Sequence, residues 1–217
     1  MKKIWILFSV TMMLLIGNAN AEMRYGFSGA LTQVNASGSE TEGGEKTNAE
    51  ADNLVVIPSL FLEYGMGSIS VGLDYIPMDA DVSSKTKKRT DTETSVTGTA
   101  THTTTSRTQS AQAELTDHIT LYANYMMSDT YFVKAGVASV TLDTSESLGT
   151  GSNYGNEDIY GGVFGIGYTD GNNRLEIVYT DYESISLTST VARTGVTTNN
   201  KIEADLDTLA LKYSYAF

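Results

Sequence analysis

The sequence predicts an all-β fold: an eight-stranded antiparallel up-and-down transmembrane β-barrel with short periplasmic turns and long extracellular loops. Three observations predict it. Apolar residues recur with period two in eight separate runs, the spacing of strands and not of helices. Tyrosines and phenylalanines gather at the ends of those runs, as in the interfacial girdles of membrane barrels. The connections alternate long and short, as in a meander with every long loop on one side.

The chain begins with an address. Lys2 and Lys3 precede a mostly apolar run from Ile4 to Ile16, and Ala19-Asn20-Ala21 supplies small residues for cleavage. Residues 1–21 are therefore expected to be a signal peptide, with a barrel domain over 22–217. A spanning helix needs about 20 apolar residues, and Gly17-Asn18 ends this run too early.

The expected strands follow in order. Arg24 to Thr32 aligns Tyr25, Phe27 and Leu31. Leu54 to Tyr64 aligns Leu54, Val56, Leu60 and Leu62. Ser68 to Met78 aligns Ile69, Val71, Leu73 and Tyr75. Glu114 to Tyr125 aligns Leu115, Ile119, Leu121, Ala123 and Tyr125. Thr130 to Thr141 aligns Tyr131, Val133, Ala135 and Val137. Ile159 to Thr169 aligns Tyr160, Phe164, Ile166 and Tyr168. Arg174 to Tyr182 aligns Leu175, Ile177 and Tyr179. Leu206 to Phe217 aligns Leu209, Leu211, Tyr213, Tyr215 and Phe217. Each approaches the ten or so residues of a tilted crossing.

Gly65-Met66-Gly67, Met126 to Asp129 and Asp170-Gly171-Asn172-Asn173 form the tight turns. The long loops run over 33–53, 79–113, 142–158 and 183–205. Pro58 and Pro77 fall inside strands 2 and 3, where a closed barrel has no harmless edge, so a bulge or early splaying is expected near the outer rim.

Small, polar and charged residues occupy the other face. An eight-stranded barrel is just wide enough for its inward side chains to fill. Glu63, Asp74, Glu114, His118, Lys134, Glu176 and Lys212 are thus expected to form a polar lumen network, because buried charges must pair. This implies a plugged lumen and no wide channel.

The second long loop is more than half Ser and Thr over 83–112. It carries a basic patch of Lys85, Lys87, Lys88, Arg89 and Arg107 in a chain of formal charge −12. It is expected to be a solvated surface loop, with contact to anionic sugar or phosphate as the functional alternative. The acidity argues against a nucleic-acid partner. Glu40, Glu42, Glu45, Glu50 and Asp52 lack the spacing of a dedicated calcium loop. No metal or other cofactor is expected. With two histidines, His102 and His118, and no placed serine or orienting acid, no enzyme is expected. The glycines of GGVFGIG, residues 161–167, relieve crowding inside a strand.

The expected location, tight turns, long loops and terminal DTLALKYSYAF resemble the small bacterial outer-membrane β-barrels of the OmpA/OmpX/Ail type. Tyr213-x-Tyr215-x-Phe217, preceded by Leu209 and Leu211, carries the most specific part, with Ala210 where a glycine is frequent. The resemblance implies an assembly signal in Leu209, Leu211, Tyr213, Tyr215 and Phe217, read by the barrel-assembly machinery. It implies residence among outer-membrane lipid and lipopolysaccharide of a Gram-negative envelope, and a structural or interactive role such as adhesion, envelope integrity or recognition of an extracellular surface ligand. A narrow channel for small solutes or ions is the first alternative, and a lipid-modifying barrel enzyme using His118 the second.

Overall fold

The computed structural model describes residues 22–42, 45–82, 87–97, 101–147, 153–190 and 199–217. The expected signal peptide, Lys85 and parts of the long loops lie outside the described residues. Among the described residues eleven strands follow one another without a helix between them. They are β1 (Glu22–Glu42), β2 (Glu45–Met66), β3 (Ile69–Tyr75), β4 (Ala80–Asp81), β5 (Lys87–Thr97), β6 (Thr101–Met126), β7 (Tyr131–Ser147), β8 (Glu157–Asp170), β9 (Asn173–Tyr182), β10 (Ile185–Thr188) and β11 (Lys201–Ala216).

Eight of them close a ring in the order β1-β2-β3-β6-β7-β8-β9-β11, and β11 returns antiparallel to β1. β4 and β5 continue the line of β3 by pairing with β6. β10 continues the line of β9 by pairing with β11. The closure is made at the chain's end: the Phe217 N–H donates to the Tyr25 carbonyl at 2.8 Å, and their rings stack with centroids 5.6 Å apart. The three tight turns sit together at one end of the ring. Gly67 and Gly171 adopt φ of +65° and +59° there, a conformation that L side chains rarely tolerate.

The wall is longer than the periodic runs suggest. Residues 33–53, expected as a loop, are almost entirely strand: β1 and β2 stay in register from Glu22↔Gly65 to Glu42↔Glu45. Likewise β5 pairs with β6 from Lys87↔Ala111 to Thr97↔Thr101.

Polarity inverts along this long wall. Near the tight turns the outer surface is an apolar belt of Val56, Leu60, Leu62, Phe164, Ile166, Leu175, Ile177, Leu209 and Leu211, all exposed. Tyr25, Tyr125, Tyr131, Tyr168 and Tyr213 edge it below, and Tyr75, Tyr160 and Tyr179 edge it above. From Leu209 to Phe217 the rise is roughly 20 Å at the 35–45° tilt usual for membrane barrels. Inside the belt the side chains are polar. Above it the pattern is reversed. Val34, Leu115, Val140, Leu142, Ile159, Ile185, Leu187 and Leu206 turn inward into one dry cluster. Glu50, Asp52, Asp158, Asp181, Ser186, Glu203 and Asp205 turn outward or stand half-exposed. The period of two is unchanged; the solvent outside has changed from lipid to water, and the buried face changes with it.

Two irregularities break the wall. One is a bulge on β6: Thr116 pairs with Thr141 and Ile119 with Ser139, so Asp117 and His118 face a single residue of β7. Asp117 takes φ of 51° there. The extra residue shifts the parity of the strand. Below the bulge Thr120, Tyr122 and Asn124 face inward; above it Leu115 does.

The other is a seam. β2 pairs with β3 only from Met66↔Ile69 to Leu60↔Tyr75. Beyond Tyr75 the chain stays with β6 through Ile76 N–H to His118 carbonyl at 3.1 Å and Val82 N–H to Ala113 carbonyl at 3.0 Å, and it leaves β2. Pro58 lies where β2 keeps its β1 partner but has none on the β3 side, and Pro77 lies in the 76–79 segment opposite, so the splaying expected from the prolines is a lateral gap. Ser59 Oγ to Asp74 Oδ2 at 3.2 Å marks its lower end, and Asn53 Nδ2 to the Asp81 carbonyl at 3.1 Å its upper end.

Candidate functional site: a charged floor, an apolar cavity and a lateral seam

Inside the belt, six charged side chains meet. Arg174 forks onto Glu63, Nη1 to Oε2 at 2.8 Å and Nη2 to Oε1 at 3.1 Å. Its Nη1 also lies 3.6 Å from Glu176 Oε1. Lys134 donates to Glu176, and Lys212 to Asp74. The Tyr122 hydroxyl and Asn124 Nδ2 also donate to Glu63 Oε2, at 3.1 and 3.0 Å. The three carboxylates match three cations, and all six side chains are buried or nearly so. A lone charge here would be strongly destabilising, whereas a matched and hydrogen-bonded set is tolerated.

Aromatic rings pack the same layer. The Arg174 guanidinium lies 5.0 Å from the Phe132 ring centroid and 5.9 Å from that of Phe61, and Lys134 Nζ lies 4.2 Å from that of Tyr122. Each ring lies across its directly paired glycine: Phe61 over Gly26, Tyr122 over Gly72, Phe132 over Gly167. A methyl group on any of these glycines would overlap the ring. Glycines on β1, β3 and β8 thus make room for three rings in a space otherwise too narrow for them.

Above this floor lies a cavity of about 100 Å³. Its walls are mainly apolar, including Val34, Ile57, Ile76, Met78, Leu115, Val163 and Val178, and its floor is Asp74, Lys134 and Lys212. Ile57 comes from one lip of the seam and Ile76 and Met78 from the other, so the cavity reaches the gap in the wall. Met78 and Val56 are exposed at 53 % and 73 %, which puts the gap at belt height. His118 enters from the β6 bulge, its Nε2 2.9 Å from the Tyr182 hydroxyl.

Above the cavity the described residues pack across the barrel. The dry cluster fills it, and a strap ties across: Tyr154 hydroxyl to Glu40 Oε1 at 2.9 Å, Asn200 Nδ2 to the same oxygen at 3.3 Å, and Thr190 N–H to the Asn153 carbonyl at 2.9 Å.

Of the residues expected in the lumen, Glu63, Asp74, Lys134, Glu176 and Lys212 come together in the floor. His118 lines the cavity above it. Glu114 does not join them. The bulge puts it one residue from inward Leu115, paired with Asp81 and Asp143 on the polar outer face. Arg174 was not expected, yet it is the centre of the floor. Its two-residue spacing from Glu176 marks the shared face, and a carboxylate excess among the expected residues called for one more cation.

The expected assembly signal forms the belt's closing edge. Leu209, Leu211 and Tyr213 are exposed outward, and Tyr215 and Phe217 join Tyr25 and Phe27 in an aromatic group. Lys87, Lys88, Arg89 and Arg107 lie on the paired hairpin of β5 and β6. Among the described residues no group of His, Asp or Glu has the geometry of a metal site.

No protein-family model matches the chain, and no curated protein matches it. Solved structures do. The outer-membrane protein AlkL in lipid bilayers is 15 % identical, with 93 % of each chain covered and a TM-score of 0.50. OprG from Pseudomonas aeruginosa is 11 % identical over 89 % of this chain and 95 % of its own, with a TM-score of 0.48. Ail of Yersinia pestis, in complex with the heparin analogue sucrose octasulfate, is 13 % identical over 88 % and 99 %, with a TM-score of 0.34. The chain has the fold of the small outer-membrane β-barrels. The exposed apolar belt gives this fold a lipid-facing surface, with the tight turns at one end of the barrel and the long hairpins at the other.

Proposed function

We propose that this outer-membrane barrel exchanges small apolar molecules between its internal cavity and the surrounding lipid, and carries no ion current. The observation that supports this reading is the continuity of the cavity with the unpaired stretch between β2 and β3. A water-filled pore would need a polar path through the lumen. Here the floor is a neutralised ion cluster, and the space above it is walled mainly by aliphatic side chains, with isolated Thr and Ser hydroxyls between them. A path for apolar molecules needs a gap facing lipid, which the two prolines maintain by withholding N–H donors from the stretch. Catalysis has no part in this reading, since His118 is paired with a tyrosine hydroxyl and not with a nucleophile and an acid.

A disulfide staple tests it. The chain has no cysteine, so Ile57→Cys with Met78→Cys introduces the only pair. In vesicles, the oxidised variant is expected to lose exchange of a small spin-labelled hydrocarbon probe, and reductant to restore it. Equal exchange before and after reduction would remove the proposal. In planar bilayers the wild type is expected to give no stable conductance; large porin-like steps would favour the narrow-channel alternative.

A second reading, surface display for adhesion or recognition, has its own support. The β5–β6 hairpin continues the wall far beyond the belt and carries Lys87, Lys88, Arg89 and Arg107. A cell-surface binding screen with and without residues 83–112 tests it, and unchanged binding after deletion counts against display.

A further inference from the structure

We infer that the cavity above the charged floor is a binding site for a small neutral molecule with one hydroxyl group on an apolar body, about the size of phenol, and that His118 selects the hydroxyl. The inference rests on the exchange reading only for the route in.

Size comes from the volume. An apolar cavity of about 150 Å³ holds benzene, and about 100 Å³ bordered by an open seam admits a ring of about six heavy atoms after a small movement of Met78 or Ile76.

Neutrality comes from the floor. Asp74 already accepts from Lys212 and from Ser59 Oγ at 3.2 Å. Lys134, which also borders the cavity, is matched by Glu176, and Arg174 by Glu63 below it. An anionic or cationic guest would have to take a partner from one of these pairs and leave the other charge alone in a dry site. An uncharged guest disturbs none of them.

The hydroxyl comes from His118. Its Nε2 is paired with Tyr182, while its Nδ1 is buried with no hydrogen-bond partner. A buried ring nitrogen without a partner is costly, and such groups occur where a ligand or water completes them. In one neutral tautomer Nδ1 accepts; in the other it donates. A hydroxyl does both, so it suits either tautomer, whereas a carbonyl suits only one. His118 is also held where a selecting residue should be. The bulge at Asp117 projects it inward, and its carbonyl accepts from Ile76 N–H on the lip of the seam.

The test uses the full barrel refolded in phosphatidylcholine vesicles, with protein-free vesicles subtracted. Fluorine NMR reads binding of 4-fluorophenol, fluorobenzene and 4-fluorobenzoate. Wild type is expected to bind 4-fluorophenol saturably, at least tenfold tighter than fluorobenzene, and to bind 4-fluorobenzoate not at all. His118→Phe is expected to bring the phenol-to-benzene ratio to about one while fluorobenzene still binds. His118→Asn, which keeps a polar group at the site, is expected to retain part of the preference. Ala210→Phe, which fills the cavity, is expected to abolish binding of both rings in a barrel that still shows heat-modifiable migration. Absence of saturable 4-fluorophenol binding by wild type, an unchanged ratio in His118→Phe, or equal binding of 4-fluorobenzoate would each overturn the inference. Binding that persists while the staple leaves exchange untouched would remove the seam as the route and keep the site. Exchange without saturable binding would do the reverse.

Discussion

The half of the barrel inside the belt and the half above it are built from the same strands with opposite insides. On β7, Lys134 and Val140 share the inward face six residues apart, one in an ion cluster and the other in a dry core. On β11, outward Leu211 meets lipid and outward Glu203 meets water. Alternation therefore does not say which face is buried. The medium outside decides that, and the inside takes whatever the outside does not. The two halves are also stabilised differently: matched charge and ring-over-glycine packing below, aliphatic burial above.

The largest expected effect comes from unbalancing the floor. Arg174→Met leaves the buried Glu63 carboxylate without its paired cation, and should destabilise the barrel by about 3–5 kcal/mol. Urea titration in vesicles, followed by heat-modifiable gel migration, measures it. Adding Glu63→Met should recover much of the loss; no recovery would mean that ring packing, and not charge matching, holds the lower half.

Truncation in the upper core should come next. Ile159→Ala removes a side chain that is 1 % exposed and should cost about 2–5 kcal/mol. The loss is expected to stay local. Hydrogen exchange should quicken in β10 and the upper parts of β8 and β11, with belt amides unchanged. Uniform loss of protection would deny that the halves are separable.

The outer faces can be compared directly. Ile177→Arg faces lipid and should cost about 2–4 kcal/mol, while Thr188→Arg, above the belt on the same side of the ring, should cost about nothing. Similar costs in vesicle unfolding would place the water boundary elsewhere.

The smallest effect expected is from Gly167→Ala. The added methyl pushes on Phe132 and should cost about 1–3 kcal/mol. Near-UV circular dichroism should register the displaced ring.

Much of this was legible in the chain. The eight crossings, the tight turns and the inward positions of Glu63, Asp74, Lys134, Glu176 and Lys212 follow from alternation and from the width of a small barrel. The wall over 33–53 was not legible. Its inward residues include Ala36 and Gly38 against outward Asn35 and Ser37, so the contrast between faces is too weak to read as a strand. Glu114 was misplaced because parity was carried through residues 114–125 unbroken, and a bulge shows itself only against a partner strand. Arg174 was missed for a simpler reason: it opens a strand next to a turn, a position that usually meets water.

By itself the sequence determined eight strands joined as a meander of tight turns and long connections, because apolar period and turn chemistry are local. It also determined that the inside must balance its charges, because eight strands leave no room for water to do so. Only the tertiary structure decided which charges meet, where β2 and β3 part, and that His118 stands over a cavity. Those depend on register, and register is set between strands rather than along one.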